Sequence, residues 1–436
     1  MQGRQEEREY WQNVELRGRR NMGYLLAQAV CTTAGMVAFV PGTVLPAYLK
    51  TLTDSKFLIA LPSALDAFSW SFPALFYLYF FQFYRQRKGL TLGLGAFVRG
   101  SFLILAVSAL VASRWGAAAG LAVFFAAQAV LTVTGGGSLL AWQDYLGRTI
   151  PPLRRGTFFG VREALNGLVG FAASLALAVY LAGGGDTPGD YIVPFFIGIA
   201  LYSASLFLLS RVDEPQWTPA RRPERSLRTF YRKALSILID DPNFRAFVYV
   251  RCLLAGATIF NLALFSAWAI DEFDIAPALV AGAFTASAVV GRLLLSPIAG
   301  RLADRVGFRL PLLAGVTSML AVLIIGLLLP LMRPVALGAF LLIYFMAGAA
   351  QGIIWVATFN LQLEFGGVED RPRNIAVSST ISAPIGLIAG GSSGLLVDWF
   401  GYQPVIAAGL AVVVAAWLTV AFAFKDPRFR TGLPLA

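Results

Sequence analysis

The feature that most restricts this chain is a succession of apolar runs, each about twenty residues or longer, separated by short polar stretches. A run of that length crosses a hydrocarbon core of about 30 Å as a helix. No water is available there to take up backbone N–H and C=O groups, so each crossing segment must satisfy its own hydrogen bonds. The short alternating segments of a membrane β-barrel do not occur. Only 14% of the residues are charged, against roughly a quarter in a soluble globular protein. The expected fold class is therefore an all-α membrane protein.

The runs predict helices over 22–48, 56–83, 90–112, 116–141, 157–183 and 191–210, then over 245–270, 276–299, 310–331, 335–362, 375–399 and 402–424. Twelve crossings put both ends of the chain on one side. The first apolar run exceeds a signal-peptide core and lacks a small-residue cleavage site, so it is expected to remain as the first helix. Lysine and arginine concentrate on one side. They occur in the N-terminal segment 1–21, at Arg85/Arg87/Lys88 and Arg148/Arg154/Arg155, in the central connection, and at Arg301/Arg305/Arg309, Arg371/Arg373 and Lys425/Arg428/Arg430. The opposite loops hold only Lys50, Lys56, Arg114 and Arg333. By the positive-inside rule both termini, including the tail 425–436, are cytoplasmic and the host is a cytoplasmic (inner or plasma) membrane. The net charge of +11 then follows from topology, and no nucleic-acid partner is expected.

The one long connection, 211–244, divides the chain into six-helix bundles at 22–210 and 245–424. Within it Leu227, Phe230, Tyr231, Ala234, Leu235 and Leu238 recur at helical spacing with Arg225, Arg228 and Arg232 opposite. This predicts a short amphipathic helix on the anionic leaflet; the alternative is a solvated charged linker. A shift of 219 positions superposes Gln143 on Gln362, Gly147 on Gly366, Arg154 on Arg373, Ala164 on Ala383, Gly167 on Gly386 and Leu168 on Leu387. The halves are thus expected to be repeats, an architecture that places a substrate near the midplane.

The sequence from Gly300 to Arg309 reads Gly-Arg-Leu-Ala-Asp-Arg-Val-Gly-Phe-Arg and falls between the eighth and ninth helices. It resembles the Gly-x-Leu-x-Asp-Arg-x-Gly-x-Arg/Lys signature of the major facilitator superfamily. Together with twelve helices and a long central loop, the resemblance covers the whole chain. It implies two pseudo-symmetric six-helix bundles and a secondary transporter that moves a small-molecule solute by alternating access, as a monomer surrounded by membrane lipids and without a cofactor. The first copy departs from the pattern: Tyr84-Arg85-Gln86-Arg87-Lys88-Gly89 keeps positive charge without the acid, so a latch is expected only in the second half. Gly300 and Gly307 permit the tight turn, and Arg305 and Arg309 can bond carbonyls or headgroups. Asp304 is an acid in a basic loop and needs a partner. The resemblance places that partner near the start of helix five, beside Arg154 and Arg155, where a helix N-terminus favours an anion. Arg162 and Glu163, a little further along, are assigned to the same cytoplasmic gate; the alternative is a hairpin fixed locally by Asp304.

Charges inside hydrocarbon are costly and usually face partners or a water-filled cavity. Asp66, in helix two, is the candidate for coupling to protons or other cations; its alternative is a structural hydrogen bond. Arg99 lies too shallow to pair with it. Arg251 and Arg292 sit close to the cytoplasmic ends of helices seven and eight and are expected to have structural roles; the alternative is that they snorkel to the surface. The resemblance implies that helices one, four, seven and ten line a central cavity. That makes Gln28, Thr32, Gln128, Asn261, Gln351, Trp355 and Asn360 candidate substrate contacts. Phe68, Phe72, Phe76 and Phe80 recur at i, i+4 and are expected to face packing or lipid. Pro384 is expected to bend helix eleven. The chain has no histidine and only Cys31 and Cys252, so no metal site is expected, and no nucleophile–base constellation suggests an enzyme. No nucleotide-binding P-loop occurs, so an ion or solute gradient would supply the energy. An exporter of amphiphiles fits the aromatic residues, and an uptake porter for a small polar or anionic metabolite fits the amides and arginines. A non-transporting sensor or scaffold on the same fold is the alternative from another class.

Overall fold

The computed structural model describes residues 2–41, 43–72, 74–216, 224–260, 262–275, 283–366 and 370–427. Asn261, Arg428 and Arg430, named above, lie outside them. The described residues form helices and no strands. In chain order the helices are α1 (Gln2–Met36), α2 (Val44–Lys50), α3 (Lys56–Ser71), α4 (Ala74–Phe81), α5 (Arg87–Trp115), α6 (Ala117–Thr149), α7 (Arg155–Ala182) and α8 (Ile192–Ser210). There follow α9 (Leu227–Asp240), α10 (Pro242–Gly256), α11 (Leu262–Asp271), α12 (Thr285–Val306), α13 (Arg309–Leu328), α14 (Ala336–Glu364), α15 (Arg371–Phe400) and α16 (Tyr402–Leu418).

Ten stretches among the described residues are long and apolar enough to cross a membrane. One of them, Arg309–Glu364, runs for 56 residues and contains both α13 and α14. The two are joined by a 3-10 turn in which Met332 leaves helical dihedrals. At 16 and 8 residues, α3 and α4 are each too short to cross alone. Both lie within the predicted second run, 56–83, so each of the twelve predicted runs contains helix. Two boundaries differ from expectation. Helix one begins within the polar N-terminal segment, because α1 runs unbroken from Gln2. It then stops ahead of Pro41, and Val40 is extended (φ −65°, ψ 117°), as the residue before a proline prefers.

The chain packs as two compact units. The first comprises Met1–Pro152, Val169–Tyr231 and Val368–Thr380. Its core gathers Phe39, Tyr48, Phe102, Phe124, Phe195 and Tyr202, and the Tyr48 hydroxyl lies 2.9 Å from Ser108 Oγ. The polar start of α1 is folded onto this unit: Tyr10 donates to the Arg148 carbonyl at 3.1 Å, and Tyr10 and Val14 are buried. The first turn of α9 joins it as well. Tyr79 donates to the Arg225 carbonyl at 2.9 Å and meets the Phe230 ring edge-on. The second unit comprises Leu153–Leu168, Arg232–Gly367 and Ile381–Ala436. The first turns of α7 therefore pack with α12 and α14, while the rest of α7 packs in the first unit. Further along α9, Ala234 and Ile237 are buried while Leu235 and Ile239 are exposed; the stretch is helical, and two residues of the expected apolar face, Leu227 and Leu235, are exposed. Phe72, Phe76 and Phe80 are exposed, as surfaces facing lipid would be.

Each unit closes one helical hairpin with a carboxylate that the sequence reading did not single out. In the second unit Asp426 Oδ2 accepts from Phe308 N at 2.5 Å and Arg309 N at 3.1 Å, at the start of α13. Arg309 returns the contact by donating to the carbonyls of Val420 (3.2 Å) and Ala421 (2.5 Å) past α16. Four N–H groups are orphaned at a helix start and four C=O groups at an end, and this exchange satisfies some of each. Gly307 turns into α13 with φ +88°, and a Cβ there would strike the Asp426 carboxylate. In the first unit Glu214 performs the same task for α5, accepting from Arg87 N at 2.9 Å and Lys88 N at 2.8 Å. Both acids precede a proline, Pro215 and Pro427.

Removing this cap by Asp426→Ala should lower stability by about 1 kcal/mol. A reduced midpoint in thermal unfolding of the detergent-purified protein would show it; an unchanged midpoint would mean that Arg309 and solvent satisfy the α13 start without the acid.

Candidate gate and substrate cavity

The second unit brings together residues far apart in sequence along one face of α7. Gly156, Phe159, Glu163 and Gly167 follow one another at three- and four-residue steps, which places them on a common side of a helix. From Gly156 to Gly167 that face extends about 16 Å at 1.5 Å per residue.

Its shallow end carries the Asp304 contact. Asp304 Oδ1 accepts from Gly156 N at 2.7 Å and Oδ2 from Thr157 N at 2.6 Å. One carboxylate thus caps two orphaned amides in the first turn of α7, and the helix dipole adds to the attraction. The approach depends on missing side chains. A Cβ on Gly156 would collide with the Gly300 carbonyl and come within 2.6 Å of Asp304 Oδ1, and one on Gly300 would collide with the Gly156 carbonyl. Beside it, the buried Arg155 donates through Nη1 to Glu364 Oε1 at 3.0 Å. Arg305 is exposed and Arg154 half-buried. The sequence reading named Asp304 and the start of helix five as partners; Glu364, the acid on α14, escaped it because nothing in the sequence marks it as adjacent to Arg155.

The first unit differs at the matching place. Aligning the capped starts of α5 and α13 puts Arg87 on Arg309 and Gln82 on Asp304. Gln82 bonds the backbone of Glu224 in the central connection, donating from Nε2 at 3.1 Å and accepting at Oε1 at 2.7 Å. Arg87 and Arg148 instead converge on the buried Asp144, whose Oδ2 lies 2.5 Å and 3.2 Å from their Nε atoms.

Deeper along α7 the contacts become aromatic and then cationic. Phe159 packs on Phe359 and Trp355, with ring centroids 4.5 and 6.0 Å away. The Arg162 guanidinium stands over the Trp355 ring at 5.2 Å from its centroid. Arg292 Nη2 donates to Gln351 Oε1 at 2.8 Å and lies 3.9 Å from Glu163 Oε1. Arg162 and Glu163 lie two turns inside α7 and reach residues named for the substrate cavity. Arg292 is engaged with a glutamine across the helix contact. Arg251 is half-buried, and its Nε is buried with no hydrogen-bond partner among the described residues.

Gln351 and Trp355 also border a cavity of about 340 Å³ within the second unit, with Leu254, Thr258, Phe265, Val322 and Thr358 on other sides. Asn360 is buried away from it and donates to Val356 O at 2.7 Å. In the first unit Gln28 donates to Thr32 Oγ1 at 2.8 Å, and Gln128 is buried. Asp66 accepts from Trp70 Nε1 at 2.8 Å, one turn along the same helix. Arg99 is engaged elsewhere, donating to the Tyr202 carbonyl (2.8 Å), the Gly95 carbonyl (2.8 Å) and Ser205 Oγ (2.7 Å).

A buried pair such as Arg155–Glu364 costs several kcal/mol to break from one side, roughly 3–5. Glu364→Ala should therefore destabilise the protein strongly, and Arg155→Ala with Glu364→Ala together should cost less than the sum of the two single changes. A double-mutant cycle on thermal midpoints would measure this, and strict additivity would contradict the coupling.

Comparison with known proteins follows this geometry closely at the level of fold. The family model of the Major Facilitator Superfamily matches residues 252–435. Comparison of the sequence with curated proteins finds no match. Among solved structures, the fold is similar to that of the transporter FucP in its outward conformation (TM-score 0.70, 13% identity, covering 93% of this chain and 99% of that one). It is also similar to a bacterial homologue of the iron transporter ferroportin in its outward-facing state (0.68, 14%, 92% and 98%). A third similar structure is the human organic anion transporter MFSD10 (0.66, 12%, 92% and 99%).

Proposed function

We propose that this chain, a transporter of the Major Facilitator Superfamily, works as a secondary active porter for a small solute in the cytoplasmic membrane, with both termini cytoplasmic. The observation that carries the proposal is the Asp304 cap on α7. It holds a helix start by two hydrogen bonds and no covalent link, on an element whose remainder packs in the other unit. Such a contact is strong enough to bias a conformation and weak enough to be exchanged. Charge-assisted hydrogen bonds contribute about 1.5–3 kcal/mol each, and equilibria between transport states differ by a few kcal/mol. In this reading Gly300, Asp304 and Gly307 form the latch, with Arg155 and Glu364 beside it. Arg309 fixes the hairpin that carries Asp304.

Within the second unit, the cavity at Gln351 and Trp355 is the candidate substrate site; Gln28, Thr32 and Gln128 remain the candidates of the first unit taken by itself. Asp66, bonded only within its own helix among the contacts seen, is the proposed coupling carboxylate. The similar structures carry different cargoes: FucP is a fucose:proton symporter, and the others are described as iron and organic anion transporters.

The test begins with a thermal-shift screen of the purified protein against a metabolite and drug library, since a ligand of the folded state stabilises it by mass action. Hits are then followed as flux into proteoliposomes with and without a pH gradient. Asp304→Asn should change flux several-fold while insertion into the membrane stays normal, because an amide oxygen cannot serve both N–H groups as a carboxylate does. Unaltered flux would remove the latch. Asp66→Asn should abolish the response to the gradient, and an unchanged response would remove Asp66 from coupling.

A further inference from the structure

Ala347, Gln351, Ile354, Trp355 and Thr358 follow one another at helical steps, so one face of α14 forms a wall of the cavity in the second unit. The other sides come from α10, α11 and α13, with Leu254, Phe265 and Val322 among them. No ionisable side chain lines the cavity among the described residues. Besides the indole of Trp355, its polar groups are Thr258, Gln351 and Thr358, and each of these three is already committed in part. Thr258 Oγ1 donates to Ala255 O at 2.7 Å, and Thr358 Oγ1 donates to Ile354 O at 2.7 Å. A hydroxyl has one hydrogen to give, so both would meet a ligand as acceptors. Gln351 does the reverse. Its Oε1 accepts from Arg292 Nη2 at 2.8 Å, which leaves the amide nitrogen and its two hydrogens for the cavity. The charges nearest this wall stand behind it. Arg292 is 3.9 Å from Glu163, and Arg162, the neighbour of Glu163 on α7, lies over the Trp355 ring. About 340 Å³ is at the small end of ligand pockets, which run roughly 300–1,000 Å³.

We infer that this cavity takes an uncharged, largely apolar organic molecule whose one hydrogen-bond acceptor, a ketone, ester or ether oxygen, sits at the Gln351 amide. The inference rests on the reading of the cavity as the substrate site and names the substrate class. Aliphatic and aromatic walls favour a hydrocarbon body in proportion to the area it buries. An anion or a cation would give up its hydration where no side chain of opposite charge lines the cavity. A sugar would bring more hydroxyls than the lining has polar groups, and each one left without a partner would weaken binding.

Four probes with one aromatic body separate these cases: 2-acetonaphthone, 2-ethylnaphthalene, naphthalene-2-sulfonate and 2-naphthylmethylammonium. Binding to the full chain in nanodiscs is measured by equilibrium dialysis, with protein-free nanodiscs of the same lipid in a parallel cell so that partition into lipid is subtracted. The ketone should bind about tenfold or more tightly than the sulfonate and the ammonium. Gln351→Leu should lower the ratio of ketone to ethylnaphthalene affinity about threefold or more, the worth of one hydrogen bond. Ala347→Phe, at a half-buried position of the lining, should weaken both neutral probes about tenfold or more by filling the space. Gel filtration removes unfolded preparations, and the ratio read for Gln351→Leu is insensitive to a partial loss of folded protein. A charged probe that binds as tightly as the ketone, a ratio unmoved by Gln351→Leu, or neutral binding unmoved by Ala347→Phe would each overturn the assignment. The flux of the thermal-shift hits separates the two levels of argument. Ketone binding as stated, with no hit ever moved in proteoliposomes, would refute the transporter reading and leave the site. Movement of charged hits while the ketone fails to bind would refute the site and leave the transporter.

Discussion

A helix that ends at the edge of a hydrocarbon layer leaves N–H and C=O groups without partners, and this chain deals with the problem by aiming carboxylates at helix starts. Glu214 caps α5, Asp426 caps α13 and Asp304 caps α7. The same chemistry serves different ends in these places. Glu214 and Asp426 come from the segments just beyond α8 and α16 and bind hairpins of their own unit, reinforced in the second case by Arg309. Asp304 comes from α12 and caps a helix that leaves the unit after Leu168. A contact holding the start of a shared helix is suited to being made and broken, whereas one that closes a hairpin is suited to staying.

The two units differ at the starts of their capped helices. Where the second unit has Asp304, the first has Gln82, an uncharged side chain that both donates and accepts. Those two capacities match one backbone segment, the residue Glu224 of the central connection, rather than two N–H groups at a helix start. The charge missing from Gln82 has a counterpart deeper in the first unit, where Asp144 lies between Arg87 and Arg148. An arginine stands at the capped helix start in both units, but its partners differ: an acid for Arg87, carbonyls for Arg309.

Along the face of α7 the surroundings grade from backbone capping, through aromatic packing at Phe159, to the guanidiniums of Arg162 and Arg292. The latch and the cavity wall are therefore parts of one rigid element. A displacement of the α7 start would be transmitted along the helix to Glu163 and to the arginines around Gln351.

Much of this was legible in the residues themselves. Apolar run length fixed the helices, and lysine and arginine placement fixed the expected topology. The residues from Gly300 to Arg309 carry a family resemblance, and it was that resemblance that implied the start of helix five as the partner of Asp304. These features are local or periodic, and the bilayer imposes them on any chain of this kind. What the sequence did not disclose are pairings between helices: Arg155 with Glu364, Arg292 with Gln351, and Asp426 with the amides before α13. Burial in a low-dielectric interior makes each pairing obligatory once the helices are packed, but which acid or amide meets which arginine depends on helix rotation and crossing. A long arginine side chain can reach several neighbouring turns, so linear spacing leaves its partner open. Only the packed structure chose Gln351 for Arg292.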